Sequence, residues 1–280
     1  MARSQEDHPE VCITPRSAEE ACLQLIHQKA YDTAAERARG LRVLDLGCNN
    51  GYGTRVLATQ AASVVGVDVS ADLVETARRG HVPDNVSFRR VDGRMLPFAD
   101  GSFDLVTSFQ VIEHIPETGP FLEEVIRVLV PGGGALFTTP NANIRLDPGI
   151  PPWNPFHVRE YRPEELRACL APFFDQVEVL GLYGSEQIES VERARVAHLR
   201  ARARKNARLR WRLYRGVRHR AGLLLPPELR QRLRDLLRRR RRGGTPVPSG
   251  LAVDELYYRS EAIEDALDLL AVCRLRGTPA

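Results

Sequence analysis

From residue 42 onward, short apolar runs alternate with longer stretches whose apolar positions recur every three to four residues. The runs at 43–46, 62–67, 86–91, 103–109, 135–139, 177–182 and 269–274 have strand length. Val43 to Leu46 carries little alternation, as expected of a strand buried on both faces. Between the runs, 54–61, 71–79 and 118–129 have helical periodicity. Helix starts are marked by Ser17 with Glu20 in capping-box spacing, by Ser70, and by Pro163 followed by Glu164 and Glu165. Pro131-Gly132-Gly133-Gly134 reads as the stop after the 118–129 helix. Strands alternating with helices at this spacing predict a doubly wound α/β sheet.

In such a sheet the ligand lies at the carboxyl ends of the strands. Asp45, Gly47, Asp68, Asp92, Gln110 and Glu113 all fall there. Gly47, Gly51 and Gly53 surround a turn between a strand and a helix, where backbone N–H groups and a helix N-terminus approach a polar ligand. Asn49 and Asn50 tolerate left-handed backbone better than most residues. Asp68 closes the next strand about twenty residues on, where a carboxylate can take ribose hydroxyls. The helix starting near Ser17 either covers an edge of the core or brings His27 or Tyr31 onto the ligand from above. The spacing G-x-G-x-x-G of dinucleotide oxidoreductases is absent.

Composition is that of a globular protein, and the longest apolar runs fall far short of a membrane span. The first residues carry no apolar signal segment, so a cytoplasmic protein is expected. Five cysteines, at 12, 22, 48, 169 and 273, form no metal-like pair and read as reduced, buried thiols. The net charge of +4 hides an asymmetry. Residues 193–242 hold 19 arginines and one lysine against Glu228 and Asp235, a formal +18; the remaining 20 basic and 34 acidic residues leave −14 elsewhere.

Val43-Leu44-Asp45-Leu46-Gly47-Cys48-Asn49-Asn50-Gly51-Tyr52-Gly53 resembles the first motif of the class I S-adenosylmethionine-dependent methyltransferases. Gly66-Val67-Asp68-Val69-Ser70 is similar to their acidic second motif. Asp92-Gly93-Arg94-Met95-Leu96-Pro97-Phe98, Ser102 to Val106 and Val111-Ile112-Glu113-His114-Ile115 resemble the third block, and Leu129-Val130-Pro131-Gly132-Gly133 the turn after the following helix. The resemblance implies a Rossmann-like, seven-stranded sheet with S-adenosyl-L-methionine as cofactor. It implies that Gly47, Asn49 and Gly51 wrap the methionine part, with Asp45 orienting that region partly through backbone N–H groups. Asp68 takes both ribose hydroxyls, Asp92 accepts from the adenine amino group beside Met95 or Gly93, and Gln110 lies near the sulfonium. The family usually has Gly where Asn49 stands; Asn can hold the same left-handed backbone. The expected parts are a helical cover at 1–41, the cofactor-binding core at 42–183, an Arg-rich helical insertion or lid at 184–260 between strands six and seven, and a closing strand within 261–280.

Thr139-Pro140-Asn141 with Asn154 to Tyr161 is similar to a subgroup of these enzymes found in small-molecule, glycan and antibiotic pathways. That points to O-methylation of a sugar, glycolipid or secondary-metabolite hydroxyl, with C- or N-methylation next. A protein or RNA methyltransferase and a non-catalytic S-adenosylmethionine-binding protein are the remaining alternatives. A hydroxyl acceptor gains from a base, and His114 and His157 are the candidates, oriented by Glu113 or Glu160. No carboxylate cluster of metal-binding type is evident, so no metal is expected.

Within the insertion, 186–219 and 227–242 read as helices, the second with Leu229, Leu233, Leu236 and Leu237 on one stripe. Their charge fits a solvated lid, attraction to an anionic or lipid-linked small-molecule or glycan acceptor, peripheral contact with the inner membrane face, or docking on the acidic body of the same or a second subunit, as in a homodimer. Nucleic acid is disfavoured, since no reading motif accompanies the charge.

Overall fold

The structure is a computed structural model and describes residues 15–217 and 251–277, with side chains in the last helix before the gap described through Lys205. Eight strands form one sheet: β1 (Arg42–Leu46), β2 (Ser63–Asp68), β3 (Val86–Arg90), β4 (Phe103–Phe109), β5 (Leu129–Pro140), β6 (Gln176–Tyr183), β7 (Tyr257–Arg259) and β8 (Asp268–Arg274). Their order is β3-β2-β1-β4-β5-β8-β6-β7. The pairings from β3 through β5 are parallel, and β8 runs antiparallel between β5 and β6. The helices are α1 (Ala18–Arg37), α2 (Tyr52–Ala58), α3 (Ala71–Arg78), α4 (Thr118–Val128), α5 (Ala142–Arg145), α6 (Pro163–Leu170) and α7 (Glu186–Val217), with short 3-10 turns at Ile112–His114, Val253–Glu255 and Ile263–Asp265.

Neighbouring residues on a strand point to opposite faces, and here both faces are apolar. Leu44, Val106, Phe137, Leu269 and Ala271 face one core, shared with Leu122 and Val125 of α4 and Leu166 and Leu170 of α6. Their neighbours Val43, Leu105, Leu136 and Leu270 face a second, shared with Ala30, Tyr31 and Ala34 of α1 and Leu57 of α2. The burial pattern therefore explains the unalternating strands in the sequence.

The helix starts follow the expected chemistry. Ser17 Oγ accepts from Glu20 N–H, although the Glu20 carboxylate turns to Arg16 N–H rather than closing the box. Ser70 Oγ accepts from Leu73 N–H, and Arg162 N–H donates to the Glu165 carboxylate ahead of Pro163. Two expectations change. The sheet gains an eighth strand, because Tyr257–Arg259 pairs with Gly181–Tyr183 at the far edge. The 131–134 segment is not a turn before β5 but an irregular part of it, and the register with β4 jumps between Phe103 and Leu105. The 227–242 helix lies outside the described residues.

The start of the insertion is part of the body. Ile188 and Leu256 are buried with Cys22 and Ile26 of α1 and Leu182 of β6. Four of the five arginines described in α7 are engaged at home: Arg193 with Glu189, Arg195 with Glu192, and both Arg200 and Arg204 with Asp147. Most of the basic 193–242 segment lies outside the residues whose side chains are described. Among the described residues, no helix is long and apolar enough to cross a membrane.

Gly53 measures how closely α1 docks. A Cβ built there would lie 1.9 Å from the Tyr31 ring. Gly→Ala inside a helix ordinarily gains about 1 kcal/mol, but overpacking typically costs about 1–3 kcal/mol. Gly53→Ala is therefore expected to lower the urea unfolding midpoint; a raised midpoint would mean that α1 can move aside without loss.

Candidate active site

The turn after β1 keeps its shape through one carboxylate. Asn49 has φ 50° and Gly51 φ 76°, both in the left-handed region. Asp68, ending β2, accepts from Asn49 N–H at 2.9 Å and from Ser70 N–H at 2.9 Å, tying the turn to the start of α3. Gly47 and Cys48 N–H donate to Val67 O, and Gly51 N–H donates to Cys48 O. The turn thus meets its own needs and presents a shaped backbone edge and the remaining lone pairs of Asp68.

Below the turn, Asp45 is fully buried. It accepts from Thr54 Oγ1 at 2.6 Å, Thr107 Oγ1 at 3.0 Å and Tyr31 Oη at 3.3 Å. Burial pushes its pKa up to about 6 against those three bonds. Burial, then the charge of Asp45, drives the Tyr31 hydroxyl well above its ordinary value. Asp45 is an internal strut held by side-chain hydroxyls, and the orienting role through backbone N–H groups is corrected accordingly.

A cavity of about 470 Å³ opens beside this turn. Of the residues expected at the site, Tyr31, Gly47, Asn49, Asp68, Gly93, Gln110, His114 and His157 line it. His27 lines it too, with burial lowering its pKa to about 4, so α1 both covers the core and reaches the pocket.

Asp45, Gly51, Asp92 and Met95 do not line the cavity. Gly51 backs onto Phe88, whose ring a Cβ would meet at 2.6 Å. Asp92 is exposed and folds back on its own loop, accepting from Arg94 N–H at 2.9 Å and Met95 N–H at 3.2 Å; these bonds hold its pKa below the ordinary value. Met95 is 70% exposed. The wall at this level comes from Val91, Gly93, Arg94 and Leu96. Cys48 is a buried packing residue whose thiol is raised well above its usual pKa by burial.

Gln110, just past β4, has φ 57° and donates through Nε2 to the Asp268 carboxylate at 3.0 and 3.1 Å. Asp268 is buried and its pKa is raised by that burial, with the Gln110 bond pulling the other way. This partner comes from the closing strand, 158 residues away; a charged residue heading an otherwise apolar run was its only signal.

The rim is built on Glu113. Its carbonyl accepts from Val158 N–H at 2.9 Å and Arg159 N–H at 3.3 Å, docking the 153–161 loop onto the end of β4. That contact brings His157 to His114, ring centroids 4.8 Å apart and edge to face. His114 Nδ1 pairs with Phe156 O at 3.0 Å, and His157 Nδ1 with Glu160 Oε1 at 2.7 Å. A nitrogen facing a carbonyl or carboxylate oxygen carries the proton, so both rings have their lone pair on Nε2. Arg145 holds Glu160 through both oxygens, at 3.0 and 3.1 Å. Burial acts to raise Glu160, but its bond to His157 and the Arg145 charge outweigh it, and its pKa lies below normal. Glu160 is therefore the residue that orients His157. Glu113 is not hydrogen-bonded to either ring; its Oε2 accepts from Thr139 Oγ1 at 3.1 Å.

The region 44–137 matches the family model described as methyltransferase domain. This region resembles the class I S-adenosylmethionine-dependent methyltransferases. A Mycolicibacterium smegmatis protein named probable S-adenosylmethionine-dependent methyltransferase is 38% identical over 171 residues, covering 60% of this chain. The chain spans 65% of that relative's length. A fatty-acid O-methyltransferase of the same organism is 38% identical over 133 residues, 47% of this chain and 46% of its own. The solved [4+2]-cyclase SpnF shares the fold at TM-score 0.54 and 21% identity, covering 97% of this chain and 89% of its own.

The cofactor of this family is S-adenosyl-L-methionine, and the site fits it. The cavity lies within the usual range for small-molecule sites, roughly 300–1,000 Å³. Asp68 supplies acceptors for ribose hydroxyls, Gly47 and Gly53 keep side chains off the turn, and Val67, Val69, Val91 and Leu96 form an apolar slot for a flat ring.

Two outcomes are expected. Asp68→Ala should weaken binding of S-adenosylhomocysteine about 10- to 100-fold by calorimetry, the loss of one or two hydrogen bonds to a charged group; unchanged affinity would remove Asp68 from the site. The second concerns pH. The folded protein holds a proton on Asp45 more tightly than the unfolded chain does, so its contribution is full below about 4 and declines as pH rises through about 6. Between pH 4 and 7, the unfolding free energy of Asp45→Asn should improve relative to wild type by up to about 3 kcal/mol. A pH-independent difference in urea unfolding would show that Asp45 does not titrate there.

Proposed function

We propose that the protein transfers a methyl group from S-adenosylmethionine to a hydroxyl oxygen of a small acceptor with an apolar body. The observation that supports this is the pair His114 and His157. Both lie in the cavity that also contains Asp68, and both have Nδ1 engaged with an oxygen and the lone pair on Nε2.

S-adenosylmethionine supplies a methyl group activated by the positive charge on sulfur. The chain supplies position, shielding and a proton acceptor. In the sheet, the end of β2, bearing Asp68, and the end of β4, leading to His114, are separated by β1. That is two strand spacings, about 10 Å, room for the donor's ribose at one end and the acceptor at the other. Alignment is the main requirement of an in-line displacement. A hydroxyl becomes a better nucleophile as its proton moves onto a nearby base. His157 is the better placed of the two rings for this, because Glu160, anchored by Arg145, holds its ring through Nδ1.

The acceptor class is supported by the lining. Leu23, Ile115, Phe121 and Phe156 give an apolar wall, with Asn154 and Gln24 as polar points. The likeness to a fatty-acid O-methyltransferase supports an oxygen nucleophile on an apolar body. A lipid-linked sugar or a hydroxylated secondary metabolite meets the same description. A partly anionic acceptor and peripheral membrane contact through 193–242 remain compatible with the basic segment, in which Arg193, Arg195, Arg200 and Arg204 pair within the chain.

The test uses the full chain, methyl-labelled S-adenosylmethionine and a panel of apolar alcohols, phenols, fatty acids, glycolipids and amines, with products located by mass spectrometry. Label on oxygen is expected. His157→Asn should lower kcat at least about 100-fold with little change in the KM for the donor. Label only on carbon or nitrogen, or wild-type kcat in both His157→Asn and His114→Asn, would overturn the assignment.

A further inference from the structure

The cavity contains a carboxyl group with no use in that scheme. Glu113 is completely buried, yet it lines the cavity. Its Oε2 has Thr139, while its Oε1 has no hydrogen-bond partner. A buried carboxylate oxygen without a partner is costly in a medium that solvates charge poorly.

Beside this oxygen stand the two imidazoles. One ligand-type atom from each of Glu113, His114 and His157 lies within 4.8 Å of the others. The surroundings of the rings are those that fix metal-binding histidines. Such residues usually give their other ring N–H to a carboxylate or a backbone carbonyl, which sets the tautomer and strengthens the ligand. His157 gives Nδ1–H to Glu160, and His114 gives Nδ1–H to Phe156 O. Glu160 is in turn held by Arg145, and the loop bearing His157 is docked on the carbonyl of Glu113 itself. The ligand set is thus prearranged by bonds independent of the ion.

We infer that Glu113, His114 and His157 form a binding site for a single divalent transition-metal ion at the acceptor end of the cavity. Two imidazoles and one carboxylate match the chemistry of zinc, iron(II), cobalt(II) or manganese(II), whereas magnesium and calcium prefer oxygen throughout. Three protein ligands leave coordination positions open toward the cavity, the arrangement of catalytic rather than structural sites. An ion there would give Oε1 the partner it lacks. For its role, this inference rests on the proposed O-methylation: with both Nε2 lone pairs taken as ligands, the ion would replace His157 as activator, binding the acceptor's oxygen and polarising its O–H bond so that the proton leaves to solvent. Its existence does not depend on that function. The sequence carried no expectation of a metal because the ligands are mostly imidazole and are divided between 113–114 and 157.

The test reads metal binding directly. Untagged full-length protein is stripped with a chelator and titrated with cobalt(II), following the visible d–d bands, and then with zinc(II) in competition. S-adenosylhomocysteine binding is measured on the same sample by calorimetry. One cobalt per chain, displaced by zinc, is expected, with affinity at least tenfold weaker in Glu113→Gln, His114→Asn and His157→Asn. Circular dichroism checks folding. If the buried Glu113→Gln does not fold, the two histidine variants decide. No saturable binding below millimolar cobalt, or wild-type affinity in the folded variants, would overturn the site. Metal binding without S-adenosylhomocysteine binding would sink the methyltransferase function and leave the site; the reverse would sink the site and leave the function.

Discussion

Asp45 has no contact with solvent and must be satisfied entirely by the protein around it. Three hydroxyls do so, from Tyr31 on α1, Thr54 on α2 and Thr107 on β4, all meeting at the end of β1. A half-satisfied buried carboxylate is worse than an apolar core, so these four elements are compelled to meet in one arrangement. The glycine turn rests on that knot: Tyr31 lies against Gly53, and the turn runs directly from β1 into α2. Asp68 holds the outer side of the same turn through Asn49 N–H. The cofactor edge is therefore shaped by one carboxylate beneath it and another beside it, and only the second lines the cavity.

The acceptor side follows a similar logic with different parts. Glu113 joins the end of β4 to the rim loop through its carbonyl, while its side chain remains inside with Thr139 of β5. Everything that distinguishes this end, His114, His157, Glu160 and Arg145, is connected through that loop. Trp153 adds its ring to the Arg145 guanidinium at 4.0 Å and its indole N–H to Arg145 O. The result is a rigid polar cluster against an apolar wall, suited to orienting an oxygen and excluding water around it.

Much of this was readable in the chain. The strands β1 to β6 and β8, the caps at Ser17 and Ser70, and the Pro163 start are local signals that fall within a residue or two of their observed places, apart from the longer β5. Asn49 shows why a departure from the family pattern need not matter: its φ of 50° is a backbone state Asn accepts. Asp92 shows the opposite. The motif implied contact with adenine, but two backbone N–H groups two and three residues ahead hold one of its oxygens in its own loop. The extra strand at Tyr257–Arg259 was invisible because three residues carry no periodicity; it exists because the edge of β6 offers it partners.

The sequence by itself determined the alternating architecture, the position of the glycine turn and the acidic residue one strand away. These depend on side-chain periodicity and backbone freedom within a few residues; the family and its cofactor came from the resemblance of the motifs at those places. Only the tertiary structure decided which carboxylates line the cavity and which serve as struts, because the register sets Asp45 opposite Gly66, two residues short of Asp68, and buries it beneath the turn. It alone joined Gln110 to Asp268, and the Glu113-His114 pair to His157. Those contacts connect residues tens to more than a hundred positions apart, and no local pattern encodes the docking that creates them.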